Sequence, residues 1–455
     1  MMICNNKRAV LLIAAALTVN AGCFSQTSAI IQTKYTADPA PMVYNNTVYL
    51  YTTHDEDNAN GFEMHNWLLY TSKDMANWTD KGIVASLATF SWAKHDNSAW
   101  APQCIERNGK FYLYCPVYTQ KENKFAIGVA VADNPCGPFK DPIGKPLVLT
   151  QYYGDWDPTV FIDDDGQAYM YWGHAKPFYV KLNKDMISYS GNVQSTNVPD
   201  HYQEGPWVYK RKGHYYLIYA STCCPEGIGY AMSDKPTGPW IYKGYVMRPT
   251  ENSRGNHPGI IDFRGKSYCF GLSYDLLRYN YAQVHQEYQH HERRSVAVSR
   301  MFYNQDGTIK EVPYWSKDFV KQIEYLNPYH KVEAVTMAWG LGLKTEKLND
   351  NNLYVTNISD GKYIRVRGLD FGKMGATKFV ASLSCTSLGG KIEIRLDEVN
   401  GKQIGVLPVS NTVSSSTWKL FSTKVSKTKG VHDLFLVFRG DKDNLFNMDY
   451  WMFKR

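Results

Sequence analysis

The sequence carries little charge, and neither sign is in strong excess. Of the 455 residues, 20% are charged, and Lys+Arg 50 against Asp+Glu 43 gives a net charge of +7 spread along the chain. Nucleic-acid binding normally requires a basic face or stripe, so no nucleic-acid partner is expected. The 44% of hydrophobic residues is enough to form buried cores, which excludes a disordered chain.

Cysteine is also scarce, and its spacing is not that of a metal site. The chain has nine cysteines, and setting aside Cys4 and Cys23 near the N-terminus leaves seven. These show no zinc-like pair spacing, so no metal site built on sulfur is expected. We predict that most are buried thiols and that the adjacent Cys223 and Cys224 are unpaired rather than bridged.

Long apolar runs are missing except at the N-terminus. Lys7 and Arg8 precede an apolar run at residues 9–19, whose 11 residues suit a signal peptide and are too few to span a bilayer. We therefore expect residues 1–25 to be a signal peptide and the protein to be exported to the periplasm or the cell exterior. Cys23 is a candidate lipid-anchored cysteine within that segment. No later stretch is apolar enough for a transmembrane segment.

Aromatic residues, in contrast, are abundant. They make up 14% of the chain, with 34 Tyr and 12 Trp. Flat amphipathic rings are suited to stacking on neutral, hydroxyl-rich ligands. At roughly 100 to 200 residues per domain, the length predicts two or three domains.

One pattern occurs five times: a proline, a strand, a turn and a second, aromatic-rich strand. Each copy predicts a β-hairpin. The starts are 48 to 63 residues apart, which leaves room for four short strands, or one blade of a propeller. The repeat predicts a five-bladed β-propeller over residues 30–325, with a meandering sandwich as the alternative. The copies are PAPMVYNNTVYLY, PQCIERNGKFYLY, PTVFIDDDGQAYMY, PWVYKRKGHYYLIY and PGIIDFRGKSYCF, and they begin at Pro39, Pro102, Pro158, Pro206 and Pro258.

The residues just before these prolines include three acids and a histidine. Asp38, Asp157 and His257 directly precede a repeat proline, and Glu204 lies one residue further back, before Gly205. If each copy begins the innermost strand of a blade, these side chains converge at one end of the central axis. One Asp-Pro pair alone would indicate only a turn. Three acids beside a low-dielectric channel destabilise the fold, which favours a functional pocket.

Three carboxyl groups that face a sugar-sized pocket are the groups that glycoside hydrolysis requires. One donates a proton to the leaving oxygen, and another acts in its ionised form on water or on the sugar. A third negative neighbour would raise the pKa of the donor by repulsion. The cluster therefore predicts a glycosidase.

Several motifs, in order along the chain, resemble those of glycoside hydrolase family 43. The resemblance covers about residues 30–325 and implies a five-bladed propeller that inverts the configuration of the sugar. The opening QTKYTADPAPMVYNNTVYLYTTHDED, with TSKDMANWTDKG, is similar to the arabinoxylan arabinofuranohydrolase branch. The other motifs are ADPAP, DPTVFIDDDGQAYMYWG, EGPWVYKRKGHYYLIYA, NHPGI, RRSVAV and NQDGTI.

The resemblance implies a role for each residue of these motifs. Asp38 would be the general base, Glu204 the general acid, and Asp157 the residue that modulates the pKa of the acid and orients it. Arg294 would contact the substrate. His257, on the axis, would lie at the substrate and could help to hold a calcium ion through waters.

Three tryptophans flank the residues before the repeat prolines. They are Trp100, Trp156 and Trp207. Each is a candidate platform for a sugar ring, and packing between blades is the alternative for each.

From about Lys331 the repeat gives way to short alternating strands, which predict a β-sandwich over residues 330–455. The segments TWKLFSTKVSKTKGVHDLFLVF and FNMDYW resemble a family 6 carbohydrate-binding module. This resemblance implies that Trp418 and Asn447 contact sugar and that Glu333 and Asp449 are calcium ligands. A sandwich that only supports the propeller is the alternative.

Two positions of this segment depart from the family pattern. Val335 stands where a second glutamate is usual, which weakens the calcium site. Asn357 stands where an aromatic residue usually pairs with the equivalent of Trp418, which weakens the sugar cleft.

Together these features predict an exported, inverting glycoside hydrolase that removes α-L-arabinofuranosyl side chains from arabinoxylan. The alternatives are a β-xylosidase or an arabinan-degrading enzyme of the same family, and a non-catalytic glycan-binding protein. The chemistry requires no cofactor, and structural calcium is the one metal to consider. The expected partner is a plant cell-wall polysaccharide, namely arabinoxylan, xylan or arabinan, and the expected oligomeric state is a monomer.

Overall fold

The structure is a computed structural model that describes residues 28–59, 61–250, 256–283, 292–315, 320–349, 352–386 and 389–455. The predicted signal peptide, including Lys7, Arg8 and Cys23, lies outside the described residues. Within the described part, no helix is long and apolar enough to cross a membrane. Almost all of the regular structure there is β-strand, so the all-β prediction is confirmed.

Residues 35–310 form five antiparallel sheets, and each begins with a strand of the proline repeat. A short 3-10 helix (Leu87–Thr89) follows the first sheet, and helix α1 (Asp275–Gln283) lies within the fifth. In the first sheet the strands are β1 (Tyr35–Tyr44), β2 (Thr47–Asp55), β3 (Asn66–Ser72) and β4 (Trp78–Ser86); in the second, β5 (Gln103–Arg107), β6 (Lys110–Tyr118) and β7 (Phe125–Ala132); in the third, β8 (Thr159–Ile162), β9 (Ala168–Trp172), β10 (Phe178–Leu182) and β11 (Tyr189–Ser195); in the fourth, β12 (Tyr202–Arg211), β13 (His214–Ser221), β14 (Gly227–Ser233) and β15 (Ile241–Met247); in the fifth, β16 (Gly259–Phe263), β17 (Lys266–Ser273), β18 (Ser295–Tyr303) and β19 (Ile309–Lys310).

The first two strands of each sheet form the predicted hairpin. In four of the sheets they are joined by a two-residue turn in which both residues have positive φ, a geometry that matches the twist of the strands. These turns are Asn45-Asn46, Asn108-Gly109, Lys212-Gly213 and Arg264-Gly265.

The first strands of the five sheets lie beside one another in chain order. β1 contacts β5, β5 contacts β8, β8 contacts β12, β12 contacts β16, and β16 contacts β1 again. Ahead of β1, the Ile30 N–H donates to the Val296 carbonyl, so the N-terminal segment also joins the fifth sheet. The starts of these strands therefore all face one central space.

The C-terminal residues form two sheets around one apolar core. The strands of this segment are β20 (Val332–Glu333), β21 (Thr336–Met337), β22 (Lys344–Asn349), β23 (Asn352–Thr356), β24 (Tyr363–Asp370), β25 (Ala376–Ser384), β26 (Gly390–Leu396), β27 (Gln403–Val409), β28 (Lys419–Thr428), β29 (Val431–Arg439) and β30 (Asn447–Lys454). The first sheet has the order β22-β23-β30-β25-β28, with β20 paired to β30, and the second has the order β24-β29-β26-β27.

The C-terminal sheets are joined to the first N-terminal sheet by strand pairing. β21 pairs with the outer strand β4, with Met337 opposite Trp78. The Asn77 side chain also bonds to the backbone of Arg367, donating to its carbonyl at 2.9 Å and accepting from its N–H at 2.8 Å. Residues of this segment thus cover an edge of the N-terminal sheets that would otherwise be open.

The cysteines follow the prediction in part. Cys104, Cys115, Cys269 and Cys385 are buried thiols. Cys223 and Cys224, however, form a disulfide bond, so the prediction that they are unpaired is wrong. The two lie on the exposed loop between β13 and β14, where no neighbouring strand fixes the backbone and the two sulfur atoms can meet.

Candidate active site

A pocket of about 260 Å³ lies where the first strands of the sheets begin. It contains the three predicted acids, together with the predicted histidine, arginine and two of the tryptophans. It is lined by Asp38, Phe62, Met64, Trp100, Ala101, Tyr153, Trp156, Asp157, His174, Glu204, His257 and Arg294.

The backbone explains how the acids come to face this pocket. Asp38 and Asp157 have φ of 49° and 58°, in the left-handed region, which disfavours residues other than glycine by about 1–2 kcal/mol each. Bulges interrupt the register of β1 between Ala37 and Ala40, and of β12 around Glu204. These irregularities turn the carboxyl groups out of the sheets, and strain of this kind is typical of functional sites.

Gly205 occupies the matching left-handed position in the fourth sheet, with φ of +59°. A Cβ at this position would lie 2.9 Å from the ring of His257. Glycine is therefore required here, and the acid of this sheet, Glu204, comes one residue earlier in the chain.

Asp38 is held by Arg294. The Arg294 guanidinium donates to Asp38 Oδ1 at 3.0 Å, and the Thr53 hydroxyl donates to Asp38 Oδ2 at 3.0 Å. Asp55, which is fully buried, accepts two further bonds from Arg294 at 2.9 Å. Arg294 lines the pocket, and its contacts show that it fixes the position of Asp38. Its predicted contact with substrate stays a prediction.

Asp157 is buried and its pKa is raised to about 8. Burial is the main cause, and the charges of Glu204 and Asp38 add to it, against the opposing charge of His257. The Gly205 N–H donates to Asp157 Oδ2 at 3.2 Å. At neutral pH the Asp157 carboxyl group is therefore mainly protonated.

Glu204 lies between two histidines. His174 Nδ1 is 2.9 Å from Glu204 Oε2, and His257 Nε2 is 3.4 Å from Oε1. Burial raises the pKa of Glu204, but the hydrogen bonds from His174 and His257 lower it by more, so the pKa lies below its usual range. The expectation that repulsion raises the pKa of this acid is corrected: in the free enzyme the raised value belongs to Asp157.

His257 contacts all three acids. Its Nδ1 is 3.4 Å from Asp38 Oδ1, and its Nε2 is 3.7 Å from Asp157 Oδ2. Burial lowers the pKa of His257, but the charges of Asp157 and Asp38 and the bond to Glu204 raise it to about 10. The imidazolium therefore balances the negative charge of the cluster.

Two of the three tryptophans proposed as sugar platforms line the pocket, and their contact with sugar stays a prediction. Trp100 and Trp156 line the pocket with ring centroids 5.5 Å apart, and the Trp156 Nε1–H donates to Glu204 Oε2 at 3.4 Å. Trp207 instead packs in the apolar core and donates to the Ile260 carbonyl. Because side chains alternate along a strand, Trp207 points away from the pocket.

In the C-terminal sheets, Trp418 is partly exposed and packs edge-on against Tyr354, with ring centroids 5.4 Å apart. Tyr354 is thus an aromatic neighbour of Trp418 at a position other than Asn357. Asn447, at the start of β30, is half-buried and donates to Ser384 Oγ at 3.4 Å.

Glu333 and Asp449 lie near each other: burial raises the pKa of Asp449, and the charge of Glu333 adds to it. Their role as calcium ligands stays a prediction. Glu333 accepts from Lys81 Nζ at 2.9 and 3.1 Å, a contact with the N-terminal sheets. Neither acid belongs to a described cluster of three or more ligand-type side chains, whereas Asp157, Glu204 and His257 form one. Glu333 therefore joins the two parts of the protein, which its position beside β21 explains.

Several residues of the site were not predicted from the sequence. They are the pocket residues Phe62, Tyr153 and His174, and the buried Asp55, which holds Arg294. His174 and Tyr153 lie on loops with no motif of their own. Asp55 could have been found, because it is an acid at the end of β2, the strand that pairs with β1, and β1 carries Asp38.

An acid with a raised pKa, a second acid held by arginine, and a third acid all lie in one pocket lined with aromatic rings. These are the groups that a glycoside hydrolase requires. Comparisons with known proteins agree. Residues 27–309 match glycosyl hydrolases family 43, and residues 333–455 match the family 6 carbohydrate binding module. The chain belongs to glycosyl hydrolases family 43.

One curated relative and one solved structure each match almost the whole chain. An arabinoxylan arabinofuranohydrolase of Bacillus subtilis (strain 168) is 34% identical, over 97% of this chain and 94% of its own length. A crystal structure of a family 43 arabinoxylan arabinofuranohydrolase from B. subtilis, in complex with cellotetraose, superposes with a TM-score of 0.83 at 33% identity, over 95% of this chain and 100% of that one.

A second solved structure matches a smaller part of the chain. It is a family 43 β-xylosidase/α-arabinofuranosidase from a compost microbial metagenome, in complex with xylotriose, with a TM-score of 0.55 and 29% identity over 63% of this chain and 96% of that one.

Proposed function

We propose that the protein removes single α-L-arabinofuranosyl side chains from arabinoxylan, with inversion of configuration. The observation that carries this proposal is the pocket of about 260 Å³ with all three acids in its wall, since a pocket of this size suits one sugar unit rather than a chain. The arabinoxylan-acting relatives favour the same substrate.

In this mechanism Asp38 takes a proton from the attacking water and Glu204 donates a proton to the leaving oxygen. The imidazole of His257 lies between the two, with a different nitrogen facing each carboxyl group. With an imidazole ring between them, the carboxyl groups of Asp38 and Glu204 are expected to lie about 6.5–9.5 Å apart, which leaves room for an attacking water. Asp157, protonated and beside Glu204, orients the acid.

The test is a release assay on arabinoxylan, arabinan and xylo-oligosaccharides. Arabinose from arabinoxylan is the expected product. Xylose from xylo-oligosaccharides or arabinose from arabinan alone would support the second candidate, a β-xylosidase or arabinan-degrading enzyme, which relatives named xylosidase/arabinosidase also favour. No release from any of them would leave a non-catalytic glycan-binding role.

We also propose that the five N-terminal sheets are the blades of a five-bladed propeller within residues 30–325, followed by the carbohydrate-binding sandwich of residues 330–455. The order of contacts among the first strands supports this. The sandwich would increase affinity for the polymer through Trp418 and Asn447.

We further propose that residues 1–25 direct export, with a lipid anchor at Cys23 as the alternative to cleavage. Mass spectrometry of the mature N-terminus distinguishes the two. We also propose that the protein is a monomer, which light scattering tests.

For calcium, we propose that any ion near His257 is bound through waters. Both ring nitrogens face carboxylate oxygens, and an imidazolium has no free lone pair for direct ligation. We also propose that the chemistry does not require this ion, so turnover should survive dialysis against a chelator. A loss of turnover that calcium restores would contradict this.

A further inference from the structure

The general acid of the proposed mechanism needs a source for its proton. Glu204 must be protonated when the leaving group departs, yet in the free enzyme two histidines keep it ionised. One of them, His257, is almost fully buried and faces three carboxyl groups. The other, His174, has 33% of its side chain exposed and lies in the pocket wall.

The fold holds His174 firmly against Glu204. His174 follows β9 after Gly173, whose φ is +122° and whose Cβ, if present, would lie 2.4 Å from the Lys176 carbonyl. The Tyr152 hydroxyl donates to the His174 carbonyl at 2.7 Å. The His174 ring centroid is 5.4 Å from that of Trp156. The tight turn and these contacts direct Nδ1 at Glu204 Oε2, 2.9 Å away.

The charged groups around His174 are acidic. The hydrogen bond with Glu204 raises the pKa of His174, and partial burial opposes it. Asp157 and Glu226, the other acids near His174, add to the rise only in their ionised forms. His174 is therefore a proton-bearing group in contact with the acid and close to solvent.

We propose that His174 stores the proton that Glu204 delivers to the leaving group. The idea rests on the proposed glycosidase function. The Nδ1 proton of His174 passes to Glu204 Oε2, and the glycosidic oxygen takes it as the bond from that oxygen to the sugar carbon breaks. Asp38 takes a proton from the attacking water and later releases it to solvent, which reprotonates His174. His174 acts through Glu204, so it is a positioning residue rather than a catalytic one.

The test compares His174→Asn with the wild-type enzyme over a pH series. The amide can keep a donor near the position of Nδ1 but carries no transferable proton. We measure kcat/KM on arabinoxylan oligosaccharides and on an aryl arabinofuranoside with a good leaving group. His214→Asn is the matched control, because His214 is an exposed histidine that faces a carboxylate, Asp234, away from the pocket.

On the oligosaccharide we expect a loss of about tenfold or more at pH 7, within the range of general acid catalysis. The alkaline limb of the curve of kcat/KM against pH should move to lower pH by about one unit, which corresponds to a tenfold change in proton occupancy. Turnover of the aryl substrate should change by less than about threefold, which also shows that the variant is folded.

An unchanged alkaline limb, or equal losses on both substrates at every pH, would overturn the proposal and leave His174 a structural role. Failure of the proposed function is distinguishable, because the wild-type enzyme itself would then hydrolyse neither substrate.

Discussion

Asp157→Asn should stabilise the protein, and by an amount that depends on pH. Asp157 is 4% exposed and its pKa is raised from 3.8 to about 8. In the unfolded chain this carboxyl group is ionised at neutral pH, so folding must take up a proton or bury a charge beside Glu204 and Asp38. An amide of the same shape is neutral in both the folded and the unfolded state, so folding of the variant neither takes up a proton nor buries a charge at this position.

The size of the effect follows from linkage. Because the folded pKa of Asp157 lies above the unfolded one, its favourable contribution is complete below about pH 4 and is lost as the pH rises to about 8. At 1.36 kcal/mol per pKa unit, the loss is on the order of 5 kcal/mol above pH 8. The variant should therefore match the wild type near pH 4 and exceed it by that order at pH 8.

Thermal unfolding at pH 4, 6 and 8 measures this difference. For a domain of this size we expect a gain in Tm on the order of 10 °C at pH 8, shrinking toward zero at pH 4. Asp234→Asn, at a carboxylate whose side chain is 95% exposed, is the control and should show no such trend. A gain that is the same at all three pH values, or is largest at pH 4, would refute the raised pKa of Asp157.

Two further predictions concern other parts of the site. Glu204→Gln should abolish turnover of arabinoxylan and spare an aryl glycoside with a good leaving group, whereas Asp38→Asn should lose both; equal damage to both substrates by Glu204→Gln would exclude it as the acid. Trp418→Ala should weaken binding in xylan affinity gels by about 1–3 kcal/mol without changing the rate on the aryl glycoside. The control Phe302→Ala, at an exposed ring on β18, should leave xylan binding unchanged. Unchanged retardation of Trp418→Ala would exclude a sugar-binding role for Trp418.

Much of the fold could be predicted from the sequence because its signals are local. The turn pairs Asn45-Asn46 and Asn108-Gly109 favour positive φ at both residues, and the structure has it there. The acids before the repeat prolines could be grouped because equivalent residues of a repeat occupy equivalent positions. Asp38 and Asp157 meet for that reason.

The parts that could not be predicted depend on contacts between distant residues. The pKa of Glu204 is lowered by His174 and His257, which lie 30 and 53 residues away in the chain. Tyr354 reaches Trp418 from the hairpin of β22 and β23, which no family position indicated. Trp207 was ambiguous because a tryptophan next to a bulge can face either side of its sheet.

The most direct test of the central claim is the anomeric form of the first product. Proton NMR of arabinose released from arabinoxylan, recorded before mutarotation, should show the β anomer, because water activated by Asp38 attacks the face opposite the leaving group. The α anomer as first product would mean a covalent intermediate. It would contradict the assignment of Asp38 as base and Glu204 as acid.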